Sequence, residues 1–422
     1  MSNYLEELNG GAAEKRLSAL SNLIGEMKEK PIRRENDANN HIHTIYSFSP
    51  YSPTKAAYMA YMAGLTSAGI MDHDSLSGAE EFKKACKILG LGCTCGVEVR
   101  CKFNRNYPKI NHPDQKDCVY MAAHGVPEQN IKPFNEYLQF YRNKRNDRNR
   151  EMCKLITEKY GKFGIELDFD KDVVPLSQSD EGGSVTERHL LYALAIKLEN
   201  MFNRTQKLIE FLQNDLNLQL NEKVKGFLTD NENPHFLYDL LGVLKADTGF
   251  FYIDADEEMP SVDEFVKIAK SFGAIPAYAY LGDVGDSVTG DKKAQKFEDD
   301  FLPQLIQELK SIGFQAVAFM PTRNTYEQLQ RLTKMLKENE FFEISGEDIN
   351  SSRQKFECKA LALDEYSHLI TSTWALIGHE AISSEKGIEY GMFSAKSIKE
   401  TPNLYERIQK FALIGKNTID KK

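Results

Sequence analysis

Asn40-His41-Ile42-His43-Thr44, Met71-Asp72-His73-Asp74 and Gly96-Val97-Glu98 follow one another between residues 39 and 100. Each block stands at or just past the end of a strand-like run. In a strand, residues i and i+2 face the same side, so His41 and His43 can aim two imidazoles at one point. Three imidazoles and several carboxylates are too many polar groups for accidental placement in a core. Much later, Gly346-Glu347-Asp348-Ile349-Asn350 adds another carboxylate at a late strand, with Asp348 and Asn350 at the same spacing. The pattern reads as a metal-site scaffold. Two imidazoles and two carboxylates suit Zn²⁺, Mn²⁺ or Fe²⁺ better than Ca²⁺, which prefers oxygen.

Working outward, the chain alternates strand and helix. Helices are expected at residues 53–63 and 77–89, and strands at 65–71, 92–103 and 118–123. Residues 126–250 break that rhythm and read as an all-α insertion. The alternation then returns. A helix over 261–272 opens on a capping pair, Ser261 and Glu264. Strands are expected at 274–281, 314–320 and 341–345, with helices at 297–312 and 326–339 between them. Such alternation predicts an α/β chain with a parallel sheet covered by helices. In a barrel of this kind the carboxyl ends of all strands meet at one face, where ligands distant in sequence converge. The expected division is an N-terminal helical segment (1–35), a first barrel part (36–125), the insertion (126–250), a second barrel part (251–357) and a helical C-terminal extension (358–422). Leu17, Leu20, Leu23, Ile24 and Met27 recur at spacings of three and four, so residues 12–28 form an amphipathic helix. Packing across the outside of the main domain is the expectation, with partner binding as the alternative. Residues 282–293 are expected to form a flexible loop.

Composition sets limits. The 422 residues are 27% charged and 41% hydrophobic, as in a globular protein. A net charge of −9 argues against an extended nucleic-acid-binding surface, though a local basic strip could hold a phosphorylated ligand. The start, Met1-Ser2-Asn3-Tyr4-Leu5-Glu6-Glu7, is polar and acidic, so no secretory leader is expected. No apolar run approaches the ~20 residues a membrane span needs. Seven cysteines, an odd number, suggest reduced thiols in the cytoplasm.

His-x-His, Asp-His-Asp and Gly-x-Glu in this order resemble the PHP (polymerase and histidinol phosphatase) family of metal-dependent phosphoesterases. The resemblance is to the branch with a helical insertion, which includes nucleotide phosphatases and 5′-to-3′ exoribonucleases. It runs over roughly residues 36–357. Asp72-His73-Asp74-Ser75-Leu76-Ser77-Gly78, Glu187-Arg188-His189-Leu190, Pro260-Ser261-Val262-Asp263-Glu264 and Gly273-Ala274-Ile275-Pro276-Ala277 also carry it. It implies a distorted TIM-like (β/α)7 barrel with an all-α insertion domain and up to three metal ions at the mouth. His41, His43, Glu98 and Asp348 match the ligands of the first ion. Other positions depart from the family. Phe48 stands where the family has Asp or His. Tyr120 stands where a His follows the glutamate block, with His124 as the substitute if the register slips. Tyr280, in Ala279-Tyr280-Leu281, replaces the His of Ala-His-Pro, and Asn350 replaces the His of Asp-x-His. A second ion would keep only His73, and a third only the bridging Glu98. An ion needs several ligands to offset the loss of its hydration shell, so one well-made site is expected. His73 is then a further ligand or proton carrier, and Asp72 or Asp74 orients the ligands.

The implied activity is hydrolysis of a phosphorylated small molecule or nucleotide through metal-activated water. The alternative is a catalytically weakened PHP-like protein that binds a phosphorylated ligand or serves as a scaffold. Tyr120 and Tyr280 can donate hydrogen bonds where the family has ligands. Arg323 and Arg188 are the expected phosphate-binding cations, arginine being suited to bidentate contact; an exposed loop arginine is the alternative for Arg323. His189 is expected to be a packed helix residue. The run Arg142 to Arg150 carries five positive charges and one negative. A solvated helix face is expected there, with a groove for a nucleotide or single strand as the alternative. Cys93, Cys95 and Cys101 read as a core strand, with a zinc site shared with His112 as the alternative. Asp254, Asp256, Glu257 and Glu258 are expected to form a solvated loop.

Overall fold

The computed structural model describes residues 2–32, 37–112, 115–285 and 294–420. Most of the loop expected at 282–293, namely 286–293, lies outside the described residues. Among the described residues there is one seven-stranded sheet, ordered β1-β2-β3-β4-β5-β6-β7. Its strands are β1 (Ala38–Ile42), β2 (Ser67–His73), β3 (Gly92–Lys102), β4 (Cys118–His124), β5 (Ile275–Tyr280), β6 (Ala316–Phe319) and β7 (Phe342–Ser345).

The expectation of an all-parallel sheet needs correction at β4, which pairs antiparallel with both β3 and β5. The reason is the connection. No helix among the described residues separates β3 from β4, and an antiparallel neighbour can follow without a crossover. The other neighbouring pairs are parallel.

The sheet nearly closes on itself. The His43 amide donates to the Ile349 carbonyl at 2.9 Å, and the Ile349 amide donates to the His41 carbonyl at 3.1 Å. Two buried asparagines strengthen this seam: Asn39 Nδ2 donates to the Glu347 carbonyl at 3.0 Å and Asn40 Nδ2 to the Ser345 carbonyl at 2.9 Å. The fold is therefore a distorted, TIM-like α/β barrel with added helices.

α1 (Ser2–Glu7) and α2 (Ala13–Glu26) lie beside α3 (Pro53–Met62) and α4 (Ala79–Leu89). Leu20 and Leu23 of α2 join Ala57, Phe82 and Ala85 in one core over β1 and β2. Arg16 forks onto buried Glu81 at 2.8 and 2.6 Å, fixing α2 to the barrel exterior. Between β4 and β5 run α5 (Glu128–Tyr160), α6 (Glu187–Phe202), α7 (Gln206–Glu210), α8 (Glu222–Thr229) and α9 (Phe236–Leu244), which build their own apolar core. α10 (Val262–Ser271), α11 (Leu302–Ile312) and α12 (Tyr326–Glu338) pack on Val97, Val99, Met121, Val317 and Phe319 of the sheet. The Ser261 side chain accepts the Glu264 amide and so starts α10. Three helices end the chain: α13 (Ser367–Lys386), α14 (Ala395–Glu400) and α15 (Leu404–Asp420). Trp374, Leu376 and Ile377 of α13 cover the small residues Ala277, Ala316 and Ala318 on the other face of the strands.

Two surface expectations hold only in part: Asp147, Asp256 and Glu257 are exposed as expected, and Arg150 is half-exposed. Arg142, Arg145 and Arg148 are buried rather than solvated, because their spacing of three places them on one face of α5 turned toward the barrel. Glu258 is 2% exposed, not part of a solvated loop, and it is the partner of this arginine face. Arg145 reaches Glu258 at 3.0 Å, and Arg100 of β3 joins Glu258 at 2.7 Å and Glu187 of α6 at 2.8 Å. Cys95 and Cys101 are buried core residues of β3, as a strand reading requires.

α13 and α15 cross with their backbones in contact. A side chain on Gly378 would overlap the Phe411 carbonyl, and one on Gly415 would overlap the Trp374 carbonyl. Gly378→Ala should therefore cost about 1–3 kcal/mol through overpacking. Urea denaturation measures this, and an unchanged midpoint would mean that the two helices can part without loss.

Candidate metal centre

β1 brings the site together through an irregularity. Its register against β2 shifts between Asn39 and Ile42, a bulge that re-aims side chains. The His41 amide donates to its neighbour Asn39 Oδ1 at 2.9 Å instead of to a ladder partner. Gly346 lies against this bulge, where a Cβ would come within 2.7 Å of His41 Cβ.

Around that point the imidazoles and carboxylates gather. His41 Nε2 and His43 Nε2 are 3.1 Å apart. His43 Nε2 lies 3.2 Å from Asp348 Oδ1 and 3.7 Å from Glu98 Oε2. Glu98 Oε2 is also 3.6 Å from His41 Nε2 and 3.0 Å from His73 Nδ1. Two overlapping sets, His41-His43-Asp348 and His43-His73-Glu98, each keep their donor atoms within 4.8 Å of one another. Two imidazole nitrogens facing each other beside carboxylate oxygens form a donor set that fits a divalent cation.

The charges are strongly coupled. Burial works against the His41 imidazolium, but Glu98 together with Asp348 and Glu347 outweighs it and raises the His41 pKa. Burial and the neighbouring His73 lower that of His43. Burial opposes ionisation of Glu98 and Asp348, yet the histidines hold both carboxyls below their ordinary range.

Around these groups, Asp72 Oδ1 accepts from the Thr44 amide at 2.6 Å and from Ser47 Oγ at 2.7 Å. Ser47 Oγ in turn lies 3.3 Å from His43 Nδ1, so Asp72 acts on the His43 ring through one hydroxyl. Asp74 faces elsewhere: its carboxylate pairs with Arg145, while its amide donates to the Glu98 carbonyl at 2.9 Å.

The substituted positions have separate fates. Phe48 packs into the core of the helical insertion, edge-on to His189 at 4.9 Å. Asn350 Nδ2 donates to Asp348 Oδ1 at 2.6 Å. The Tyr280 hydroxyl donates to Asp299 at 2.6 Å and so is committed away from the histidines. Tyr120 pairs with Arg100 across β3 and β4, and Ala122 pairs with Glu98, so no slip brings His124 to that level. The Tyr120 ring stacks on His112 at 5.1 Å and lies 6.0 Å from His73. His189 Nδ1 accepts the Thr186 amide at 3.0 Å and caps its own helix.

A cavity of about 490 Å³ opens above the centre, walled in part by Arg188, Arg323, Arg100 and Tyr252. Among the described residues Arg188 has no hydrogen-bond or ion-pair partner. Arg323 donates Nε to the Leu281 carbonyl at 3.2 Å and sits 5.4 Å above the Phe297 ring. Arg100 escaped the sequence reading, although its place two residues after Glu98 puts it on the same face of β3.

Residues 39–213 match the PHP domain family. The chain carries a PHP domain. Relatives of this domain are distant. An 82-residue stretch, 17% of this chain, is 28% identical to a 5′-3′ exoribonuclease of Haemophilus influenzae and spans 30% of that protein. The crystal structure of a candidate metal-dependent phosphoesterase from Bifidobacterium adolescentis superposes with a TM-score of 0.52. It is 17% identical, and the match covers 82% of this chain and 98% of that one. At that identity the likeness is one of fold. Around the PHP domain, no helix among the described residues is long and apolar enough to cross a membrane.

Behind the cavity wall, Glu298 accepts the Leu281 amide at 2.8 Å through Oε1, while its Oε2 is buried without a hydrogen-bond partner among the described residues. Burial pushes its pKa up to about 8, from an ordinary 4.5. The folded state thus keeps a proton that the unfolded chain releases, and stability falls as pH rises between those values. In Glu298→Gln, the decline measured by denaturant melts between about pH 5 and 8 should flatten. An unaltered slope would show that Glu298 ionises normally.

Proposed function

We propose that the chain is a metal-dependent phosphoesterase acting on a phosphorylated small molecule or nucleotide. The observation that carries this is the position of His43, whose Nε2 lies within 3.7 Å of donor atoms from His41, Glu98 and Asp348. His41, His43, Glu98 and Asp348 would hold one divalent ion, Zn²⁺, Mn²⁺ or Fe²⁺. Such an ion supplies Lewis-acid polarisation of a phosphoryl oxygen and an activated water. Asp72, through Ser47, keeps the His43 ring oriented. Arg188 and Arg323 receive the remaining phosphoryl oxygens through charge-assisted hydrogen bonds. His73, partly exposed and 3.0 Å from Glu98, is placed to carry a proton to or from the reacting group.

A second reading is a chain that binds a phosphorylated ligand, or serves as a scaffold, with weakened catalysis. The commitment of the Tyr280 hydroxyl to Asp299 and the burial of Phe48 in the insertion favour it. Neither residue replaces the ligand that the family pattern would supply there.

Metal counting per chain and turnover of a generic phosphoester with added Mn²⁺ or Zn²⁺ separate the readings. Turnover that His41→Ala abolishes is expected. No turnover with any divalent metal, together with thermal stabilisation by the phosphorylated ligand, would establish the binder instead. In the active case, Arg188→Met should raise KM about tenfold with a smaller change in kcat, the loss of one charge-assisted contact.

A further inference from the structure

Asp348 differs from the other proposed ligands in how it is held. His41 lies within β1, His43 directly follows the last residue of that strand, and Glu98 lies within β3. Asp348 sits past the end of β7, in a segment without helix or strand beyond an isolated bridge at Ile349. Its side chain is 34% exposed, against 1% for His43.

That segment is fastened a few residues later to the helical insertion. Ser352 Oγ lies 2.7 Å from His235 Nδ1, just ahead of α9. Arg353 forks onto Asp239 of α9, with Nε 2.7 Å from Oδ1 and one terminal nitrogen 2.8 Å from Oδ2. The same guanidinium lies 4.0 Å over the Phe227 ring of α8 and reaches Asn233 Oδ1 at 3.3 Å. The receiving side is itself braced, since Asn233 Nδ2 donates to Asp239 at 2.9 Å and to the Phe227 carbonyl at 2.8 Å.

We propose that Arg353 is a positioning residue for Asp348: by gripping Asp239 it holds the 348–353 segment so that the carboxylate faces His43 before an ion arrives. This rests on the reading of Asp348 as a ligand. A carboxylate on an irregular segment must be ordered when it binds, and prior fixation removes that entropic penalty. A partly exposed ion pair adds little to global stability. Its bidentate geometry, however, sets direction as well as proximity. The insertion thus does more than wall the cavity: beyond the seam at Ile349, it braces the far end of the segment that carries Asp348.

The test is Zn²⁺ affinity of the metal-stripped full chain, measured by competition with a chromophoric chelator. Arg353→Met keeps an unbranched stem over Phe227 but loses the fork. It should bind Zn²⁺ about tenfold more weakly, as expected for an outer partner of a ligand. The metal-free melting temperature should not move. The Co²⁺-loaded protein should show an altered visible absorption, because one oxygen ligand is no longer fixed. Asp239→Asn should give the same loss, and the double variant no more than either single change. Lys154→Met, which breaks an exposed pair with Glu151, is the control that leaves Zn²⁺ binding unchanged. Arg353→Met with parental Zn²⁺ affinity would overturn the proposal while leaving the phosphoesterase reading intact. So would a lost affinity matched by a fall in the metal-free melting temperature. A parent chain that takes up no Zn²⁺, Mn²⁺ or Fe²⁺ would overturn both.

Discussion

The seam between β1 and the segment after β7 is the constraint on which the centre depends. It joins residues some three hundred positions apart, and the reciprocal bonds between His43 and Ile349 and between Ile349 and His41 are its core. The same few residues carry the ligands. His41 and His43 flank one side of the seam, and Asp348 adjoins Ile349 on the other. Closing the barrel and assembling the donor set are therefore one event. Asn39 and Asn40 make closure affordable, because buried amides replace backbone partners that an irregular strand cannot offer.

This explains what the sequence hid. By alternation rules the run before His41 is a poor strand, with two asparagines where apolar residues belong. Those asparagines are 0% and 1% exposed and bond across the seam. Long-range partners of this kind leave no periodic trace. The blocks around His41, His73 and Glu98 were legible because strand geometry is local: a spacing of two already says which side chains share a face. The parallel pairs were legible from their crossover helices, and antiparallel β4 was not, since the direct connection from β3 carries no helical pattern to read.

Charge was the least legible property. Arg142, Arg145 and Arg148 resemble a solvated stripe, because the Asp74 carbonyl that Arg142 meets and the carboxylates of Asp74, Glu187 and Glu258 that pair with Arg145 and Arg148 lie on other elements. Spacing of three identifies the shared face but not whether it meets water or carboxylate. Glu258 posed the same problem from the other side: within its own segment it is one acid among several. Only tertiary placement distinguishes it from Asp256 and Glu257.

The buried ionic layer has a further consequence for how the insertion serves the cavity. Arg100 extends from the barrel, while Glu187 opens α6, the helix that carries Arg188 over the centre. Desolvating so many charges gains little net stability against an apolar alternative, whereas removing a single partner typically costs ~3–5 kcal/mol. Such a layer therefore favours one docking geometry strongly over neighbouring ones. An apolar interface could slide by a helical turn at small cost and would carry Arg188 away from the histidines. Interlocked guanidinium and carboxylate groups cannot slide without stranding a charge, and so the orientation of α6, and with it Arg188, is set by the charges beneath it.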